Sequence, residues 1–234
     1  MSPNARFLLR RLHSLSGVVP VGVFLCEHLW TNAAVLGGRA PFDHAVGDIQ
    51  RMPFLPLIEV FGIFLPLLFH AVYGIALAFE GRPNTSQYAY SRNWMYVFQR
   101  VTGAVVFAFV LAHLWEYRVQ KWLFGMQTRD FYTTMELHFS ATKWGIPWIA
   151  LGYLAGLAAA TFHFGNGVWG FCASWGLAVS RRAQSRVGYA CAALGAALFA
   201  IGAMTVISMA TGTHFGFSQR AAAPAAQGRE ACPP

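Results

Sequence analysis

Five apolar segments, each long enough for a helix to cross a membrane, dominate the 234-residue sequence. A helix needs about 20 apolar residues to cross the roughly 30 Å hydrocarbon core of a bilayer. Because lipid offers no partners to backbone N–H and C=O groups, each segment is predicted to be helical. We therefore predict an all-α fold, an integral membrane bundle of five transmembrane helices that forms one domain over residues 15–211. The five segments cover residues 15–36, 56–79, 95–118, 145–172 and 187–210.

The composition favours a membrane protein over a soluble one. Hydrophobic residues make up 56% of the sequence and charged residues 11%, which leaves too little polar surface for a soluble globule. The net charge of +8 is not gathered into a basic run with interleaved aromatic residues, so no nucleic-acid partner is expected. The long segment between the third and fourth spans is expected to hold a short interfacial helix. Residues 1–14 are expected to be a cytoplasmic N-terminal segment, and residues 212–234 a disordered tail.

Basic side chains predict the orientation of the helices. An odd number of crossings places the two termini on opposite faces of the membrane. Nine of the 17 Lys and Arg residues lie on the N-terminal face in short segments, and the loop SRRAQSR at 180–186 is the most basic stretch beside any span. Because positively charged loops favour the cytoplasm, we predict a cytoplasmic N-terminus in the cell inner membrane. The basic segments 1–12, 81–94 and 178–187 then share the cytoplasmic face.

Four of the eight histidines fall inside the predicted spans, one in each of the first four: His28, His70, His113 and His163. An ionisable ring inside a bilayer costs free energy unless it has a partner, so such a residue is a candidate for function. For one histidine, an interhelical hydrogen bond would be an equally good explanation. Four histidines, distributed at one per helix, favour a shared role in binding a ligand.

The alternating direction of the helices gives each of these histidines an approximate depth below the N-terminal face. At a rise of about 1.5 Å per residue, the depth is about 20 Å for His28, about 27 Å for His113 and about 14 Å for both His70 and His163. The histidines therefore fall at two levels. We name His70 and His163 the near pair, because they lie nearer the N-terminal face, and His28 and His113 the far pair.

Two histidines at one level on different helices match the needs of a b-type haem whose two axial positions are both filled. Zinc would require three or four converging ligands, and the spans contain no such set. We therefore predict two haems b between the first four helices, with the near pair and the far pair as axial ligands of the iron. Gly74 and Gly167, one turn beyond His70 and His163, would leave room for a flat macrocycle. Four polar residues are placed either to contact haem propionates or to serve as ordinary interfacial residues: Arg11, Ser16, Arg100 and Thr102.

Longer motifs carry a resemblance to a known family: RRLHSLSGVVPVGVFLCEHL, IFLPLLFHAVYGIALAF, YSRNWMYVFQRVTG with FVLAHLWE, and FHFGNGVWGF. Over residues 4–210, the chain resembles the cytochrome b membrane-anchor subunit of succinate:quinone oxidoreductases, in the five-helix, two-haem branch that includes fumarate reductase anchors. The resemblance implies that the near pair ligates the haem proximal to an iron–sulfur subunit and that the far pair ligates the distal haem. It also implies electron transfer to or from a membrane quinone, commonly menaquinone, by a chain that does not itself oxidise succinate.

The resemblance further implies partners and one departure from the family. Members anchor a flavoprotein subunit with covalent FAD and an iron–sulfur subunit on the cytoplasmic face, so FAD and the iron–sulfur clusters would belong to the partners. Some fumarate reductases carry a transmembrane glutamate where Thr161 stands, so no proton route through that position is expected here.

His13 is expected either near a propionate or quinone or at the interface. Glu27 would either take up quinone-linked protons or bond to a neighbour.

Two alternatives stay open from the sequence. The first is the cytochrome b subunit of another quinone-linked membrane dehydrogenase, such as hydrogenase or formate dehydrogenase, which also holds bis-histidine haems in a small bundle. The second is a haem-free anchor or transporter whose histidines serve packing or proton relay. A reduced-minus-oxidised visible spectrum separates the second alternative from the haem proteins. The identity of copurifying subunits separates the first alternative from a subunit of succinate:quinone oxidoreductase.

Overall fold

The computed structural model of the protein describes residues 2–125 and 130–213. Their regular structure is helical apart from one isolated bridge between Lys143 and Ile146. In this described part of the chain, five helical segments are long and apolar enough to cross a membrane, which confirms the predicted all-α bundle. Most of the segment predicted to be a disordered tail, residues 214–234, lies outside the described residues. We number the five segments span I to span V: Pro3–Gly37, Leu55–Glu80, Ser91–Phe124, Trp148–Ser174 and Arg181–Thr211.

Span I begins earlier than the apolar pattern predicts. Its first α-helix, Pro3–Val18, starts after Ser2, whose side chain accepts a hydrogen bond of 3.3 Å from a backbone N–H of the first turn. This cap, followed by proline at the first helical position, begins the helix inside the predicted N-terminal segment 1–14. A second α-helix, Pro20–Asn32, starts with another proline and is followed by the 3₁₀ turn Ala33–Gly37. Residues assigned to an N-terminal segment therefore extend the first membrane helix.

Spans II and III each combine α-helical and π-helical parts. Span II is π-helical over Ile58–Phe64 and α-helical over Leu65–Glu80. Span III is α-helical over Ser91–Leu114 and π-helical over Trp115–Val119. Such π-helical turns occur often at functional sites. The shorter α-helical pieces of these two spans are Leu55–Leu57 and Gln120–Phe124.

Two shorter helices, which we name the cap helices, cover the end of the bundle opposite the N-terminus, the far end. Arg39–Gln50 connects spans I and II, and Asp130–Ser140 is the interfacial helix predicted between spans III and IV. The first cap helix was not predicted, because polar residues interrupt its apolar ones and it is too short to register as a span. One buried apolar cluster joins both cap helices to spans I, IV and V: Val35, Phe42, Tyr132, Met135, Phe139, Ala150, Val206 and Met209.

At the other end, the near end, side-chain contacts join the N-terminus to the two loops that share its face. Arg10 forms an ion pair of 2.9 Å with Glu80, where span II ends. Trp175, at the end of span IV, donates a hydrogen bond of 3.1 Å from its Nε1 to Ser14. The Arg92 guanidinium lies 3.5 Å from the ring centre of Trp169. The start of span I and the loops between spans II and III and between IV and V therefore form one surface.

Spans IV and V approach each other closely along their backbones. A Cβ atom added to Gly165 would lie 2.8 Å from the carbonyl oxygen of Cys191, and one added to Gly195 would lie 3.0 Å from that of Thr161. Small residues permit such approach in membranes, where packing contacts drive helix association. Thr161 is 2% exposed, and its hydroxyl donates to the carbonyl oxygen of Leu157 at 3.0 Å. A threonine at this position therefore fits the contact between spans IV and V.

Candidate functional site

The structure brings the four intramembrane histidines together as two pairs, and these are the near pair and the far pair defined by depth. The ring centres of His70 and His163 are 6.2 Å apart, and the ring planes are at 90°. The ring centres of His28 and His113 are 5.7 Å apart, and the planes are at 79°. Each pair joins two different spans, II with IV and I with III.

Backbone carbonyl oxygens hold the rings of the near pair. His70 Nδ1 lies 3.0 Å from the carbonyl oxygen of His13, and His163 Nδ1 lies 3.1 Å from that of Gln99. A carbonyl oxygen can only accept, so each Nδ1 carries the proton in these bonds. The Nε2 atom of each ring then keeps its lone pair, which is the tautomer that a metal-binding histidine needs.

A side-chain network around His163 connects spans III and IV. Gln99 donates a hydrogen bond of 3.0 Å from its side-chain amide to the carbonyl oxygen of His163. Asn166 in turn donates to the amide oxygen of Gln99 at 2.7 Å. Neither residue was predicted from the sequence, although an amide side chain inside each of two apolar spans was a signal that could have identified them. Their bonds fix the backbone on both sides of the His163 ring.

His13 lies inside the bundle beside the near pair. Its ring is stacked on that of His70, with ring centres 4.1 Å apart and planes at 9°. Glycines provide the space, because a Cβ on Gly17 would lie 2.3 Å from His70 Cε1 and a Cβ on Gly74 would lie 3.0 Å from His13 Cε1. Gly167, the other glycine predicted to leave room for a macrocycle, has Gln99 Nε2 at 3.5 Å from the position of an added Cβ. Here these glycines accommodate side chains that support the near pair.

Side chains rather than carbonyl groups surround the rings of the far pair. Asn32 donates a hydrogen bond of 2.7 Å to the carbonyl oxygen of His28, and the same amide nitrogen lies 3.4 Å from His28 Nε2. His113 Nδ1 lies 3.4 Å from the hydroxyl oxygen of Tyr153. Glu27 is exposed on the outside of span I, where Thr31 donates to it at 2.5 Å. Of the two expectations for Glu27, the structure shows the bond to a neighbour.

The donor sets fit a group with two trans imidazole ligands. Metal–imidazole bonds of about 2 Å place the ring centres of two imidazoles on opposite sides of one iron roughly 6 Å apart, close to both observed separations. Three of the four rings have Nδ1 facing a hydrogen-bond partner, which leaves Nε2 for the metal. Within residues 2–125 and 130–213, no group of three or more His, Cys, Asp or Glu side chains is arranged to hold a metal ion.

The four candidates for propionate contacts take different positions. Ser16 and Thr102 donate to backbone carbonyl oxygens of their own helices, at 2.9 Å and 2.6 Å. Arg11 packs against the rings of Phe7 and Trp175 at the near end. Arg100 lies 3.5 Å from the ring centre of Tyr96, and its Nε is buried with no hydrogen-bond partner in the described part of the chain. Arg100 is therefore the candidate with a buried donor to spare.

Comparison with known proteins assigns the chain to a family. Residues 80–202 match the model of the succinate dehydrogenase/fumarate reductase transmembrane subunit. The chain is 41% identical over 184 residues to the succinate dehydrogenase cytochrome b558 subunit of Bacillus subtilis (strain 168). The aligned region covers 79% of this chain and 87% of that protein. No solved structure matches the chain. On these similarities, the chain belongs to the family of succinate dehydrogenase/fumarate reductase transmembrane subunits.

Proposed function

We propose that this chain is a dihaem cytochrome b that anchors a succinate:quinone oxidoreductase and carries electrons between an iron–sulfur subunit and membrane quinone. The observation that carries the proposal is the pairing of four intramembrane histidines at separations that suit trans imidazole ligands. The near pair would hold one haem b and the far pair the other. Each haem would supply a one-electron carrier, held by the two imidazoles of its pair.

The chain's own residues would prepare the two haem sites. The carbonyl oxygens of His13 and Gln99 would set the tautomer of the near pair, so that Nε2 of each ring keeps the lone pair that would bind the iron. Gly17 allows the His70 ring to lie against span I. Arg100, with its unpartnered Nε, supplies a cationic donor suited to a propionate.

The near end would dock the iron–sulfur subunit, which binds the flavoprotein subunit with its FAD. This end presents exposed basic residues, including Arg181 and Arg182, on a surface whose segments are joined by the contacts of Arg10, Ser14 and Arg92. Its positive charge also supports a cytoplasmic near end in the cell inner membrane. Electrons would then pass between the near end, the near pair and the far pair.

Membrane quinone is the proposed electron partner, with menaquinone favoured by the resemblance to the dihaem branch. The matches to the succinate dehydrogenase family favour this assignment over the cytochrome b subunit of a hydrogenase or formate dehydrogenase. Purification of the complex tests that choice, because flavoprotein and iron–sulfur subunits of a succinate dehydrogenase should copurify with the chain. Recovery of hydrogenase or formate dehydrogenase subunits in their place would refute it.

Haem quantitation tests the proposal directly. We expect two haems b per chain by the pyridine haemochrome method, with unequal midpoint potentials because the two pairs differ in their hydrogen-bond partners. A ratio of one would mean that one pair of histidines is structural. A protein without a haem band in its reduced-minus-oxidised spectrum would instead be a haem-free anchor or transporter.

A further inference from the structure

A series of hydrogen-bonded polar side chains connects His113 of the far pair to the second cap helix. Its Nδ1 lies 3.4 Å from the Tyr153 hydroxyl, which donates a 2.5 Å hydrogen bond to one carboxylate oxygen of Glu116. The other carboxylate oxygen of Glu116 contacts His138 Nδ1, on the second cap helix. The Glu116 side chain is 18% exposed and that of His138 is 38% exposed. These hydrogen bonds thus connect the half-buried His113 ring with the His138 ring on the second cap helix.

The direction of each hydrogen bond in this series follows from the number of protons available. The Tyr153 hydroxyl has one proton and gives it to the Glu116 carboxylate. Its oxygen can therefore only accept from His113, so the proton of that ring lies on Nδ1. The Nε2 atom of His113 is left with the lone pair for iron, as in the near pair.

The hydrogen-bond acceptor of the His113 ring differs from those of the near pair because it is itself bonded to a charged group. His70 and His163 donate to neutral backbone carbonyl groups, whereas His113 donates to a phenol that is itself bonded to a carboxylate. Such a carboxylate, one bond removed, raises the basicity of a metal-binding imidazole. The Tyr153 ring is fixed between two aromatic neighbours, with ring centres 4.7 Å from Phe139 and 5.2 Å from Phe109.

We propose that Tyr153 and Glu116 are positioning residues that fix the orientation and tautomer of His113 and lower the midpoint potential of the iron it binds. The proposal rests on the proposed function, because it requires a haem at the far pair. A more basic imidazole stabilises the oxidised iron, so loss of this contact raises the potential. His138, on the second cap helix, contacts the other carboxylate oxygen of Glu116 and so connects the far pair to that helix.

Two substitutions and one matched control test the proposal in the assembled complex. Tyr153→Phe removes the acceptor of His113, and Glu116→Gln retains an acceptor for Tyr153 while removing the negative charge. The control is Tyr189→Phe, the same loss of a hydroxyl at a ring that is 79% exposed on span V. The readouts are the midpoint potential and the low-temperature electron paramagnetic resonance g values of each haem. The far haem is identified as the one whose signal is absent in His28→Ala.

We expect both variants to raise the midpoint potential of the far haem and to shift its g values, with the near haem unchanged and Tyr189→Phe without effect. Glu116→Gln should give the smaller shift, because one hydrogen bond to His113 survives. A far haem with unchanged potential in either variant, or an equal shift in both haems, would overturn the proposal. If Tyr153→Phe does not accumulate, Glu116→Gln carries the same test. A wild-type chain with fewer than two haems would refute the proposed function instead.

Discussion

Each ring of the near pair is held by a backbone carbonyl oxygen, at 3.0 Å from Nδ1 of His70 and 3.1 Å from Nδ1 of His163. The carbonyl oxygens of His13 and Gln99 accept from the two rings, and Gly17 leaves the space that the His70 ring fills. Interiors packed this closely transmit the addition of even one methyl group. The near haem site should therefore respond to changes in residues that never touch the iron.

Substitution of Gly17 by alanine tests this dependence. The added Cβ would lie 2.3 Å from His70 Cε1, so the ring must move away from its hydrogen bond to His13. We expect loss of the near haem with the far haem retained, and destabilisation by about 1–3 kcal/mol from overpacking. Haem content per chain and thermal unfolding measure the two effects.

Gly152→Ala is the matched control, because nothing lies within 4 Å of the Cβ position there. This variant should keep both haems. Equal haem loss in both alanine variants would show that the effect comes from general helix perturbation. An unchanged near haem in Gly17→Ala would contradict the tight packing described for His70.

Among the membrane helices, spans II and III are held together at the far end by an ion pair between their π-helical segments. Arg118 contacts Glu59, and the two side chains are 20% and 16% exposed. Both side chains are therefore largely withdrawn from solvent, where loss of one partner leaves the other charge unpaired.

Removal of one member of this pair should destabilise the protein more than removal of both. Glu59→Gln leaves the Arg118 charge without its partner, at an expected cost of about 3–5 kcal/mol. The double variant Glu59→Gln with Arg118→Met should recover most of that loss, because no buried charge remains. Unfolding of the purified complex in detergent measures both. Additive losses in the double variant would contradict a specific coupling between the two side chains.

Elements marked by a long apolar segment could be predicted from the sequence. Elements that depend on a single capping residue, or that have no long apolar segment, could not. The five spans and the two histidine levels follow from hydropathy and helix rise. The start of span I at Pro3 depends on a single serine cap, and the cap helix Arg39–Gln50 has no long apolar stretch. The bond between Gln99 and Asn166 joins residues 67 positions apart, which no local pattern specifies.

Across the whole molecule, the near end and the far end have different surfaces. The near end joins three basic segments into one exposed surface, whereas the far end is covered by the cap helices and their apolar cluster. Within the described residues, the near end carries the positive charge expected of a docking surface for a partner subunit. This difference would determine on which face of the membrane the partner subunit binds.

Charge reversal at the near end tests the docking surface. Arg181→Glu with Arg182→Glu replaces two exposed cations beside the start of span V and should weaken copurification of the iron–sulfur subunit, with the largest difference from the wild type at low salt, where screening is weakest. Haem content should stay at two per chain, because neither residue contacts a histidine pair in the described structure. Lys143→Glu, an exposed cation at the far end, is the control. Unchanged partner stoichiometry in the double variant would place the dock elsewhere.

Single replacements of the four histidines test whether each histidine pair holds one haem. Spectra of alanine variants, normalised to membrane-inserted protein, report which haem each residue holds. We predict that His70→Ala and His163→Ala lose the same haem and that His28→Ala and His113→Ala lose the other. His44→Ala, whose side chain is 76% exposed on a cap helix, should lose neither. Loss of one haem in both His70→Ala and His113→Ala, with the other lost in His163→Ala, would contradict the pairing and the account built on it.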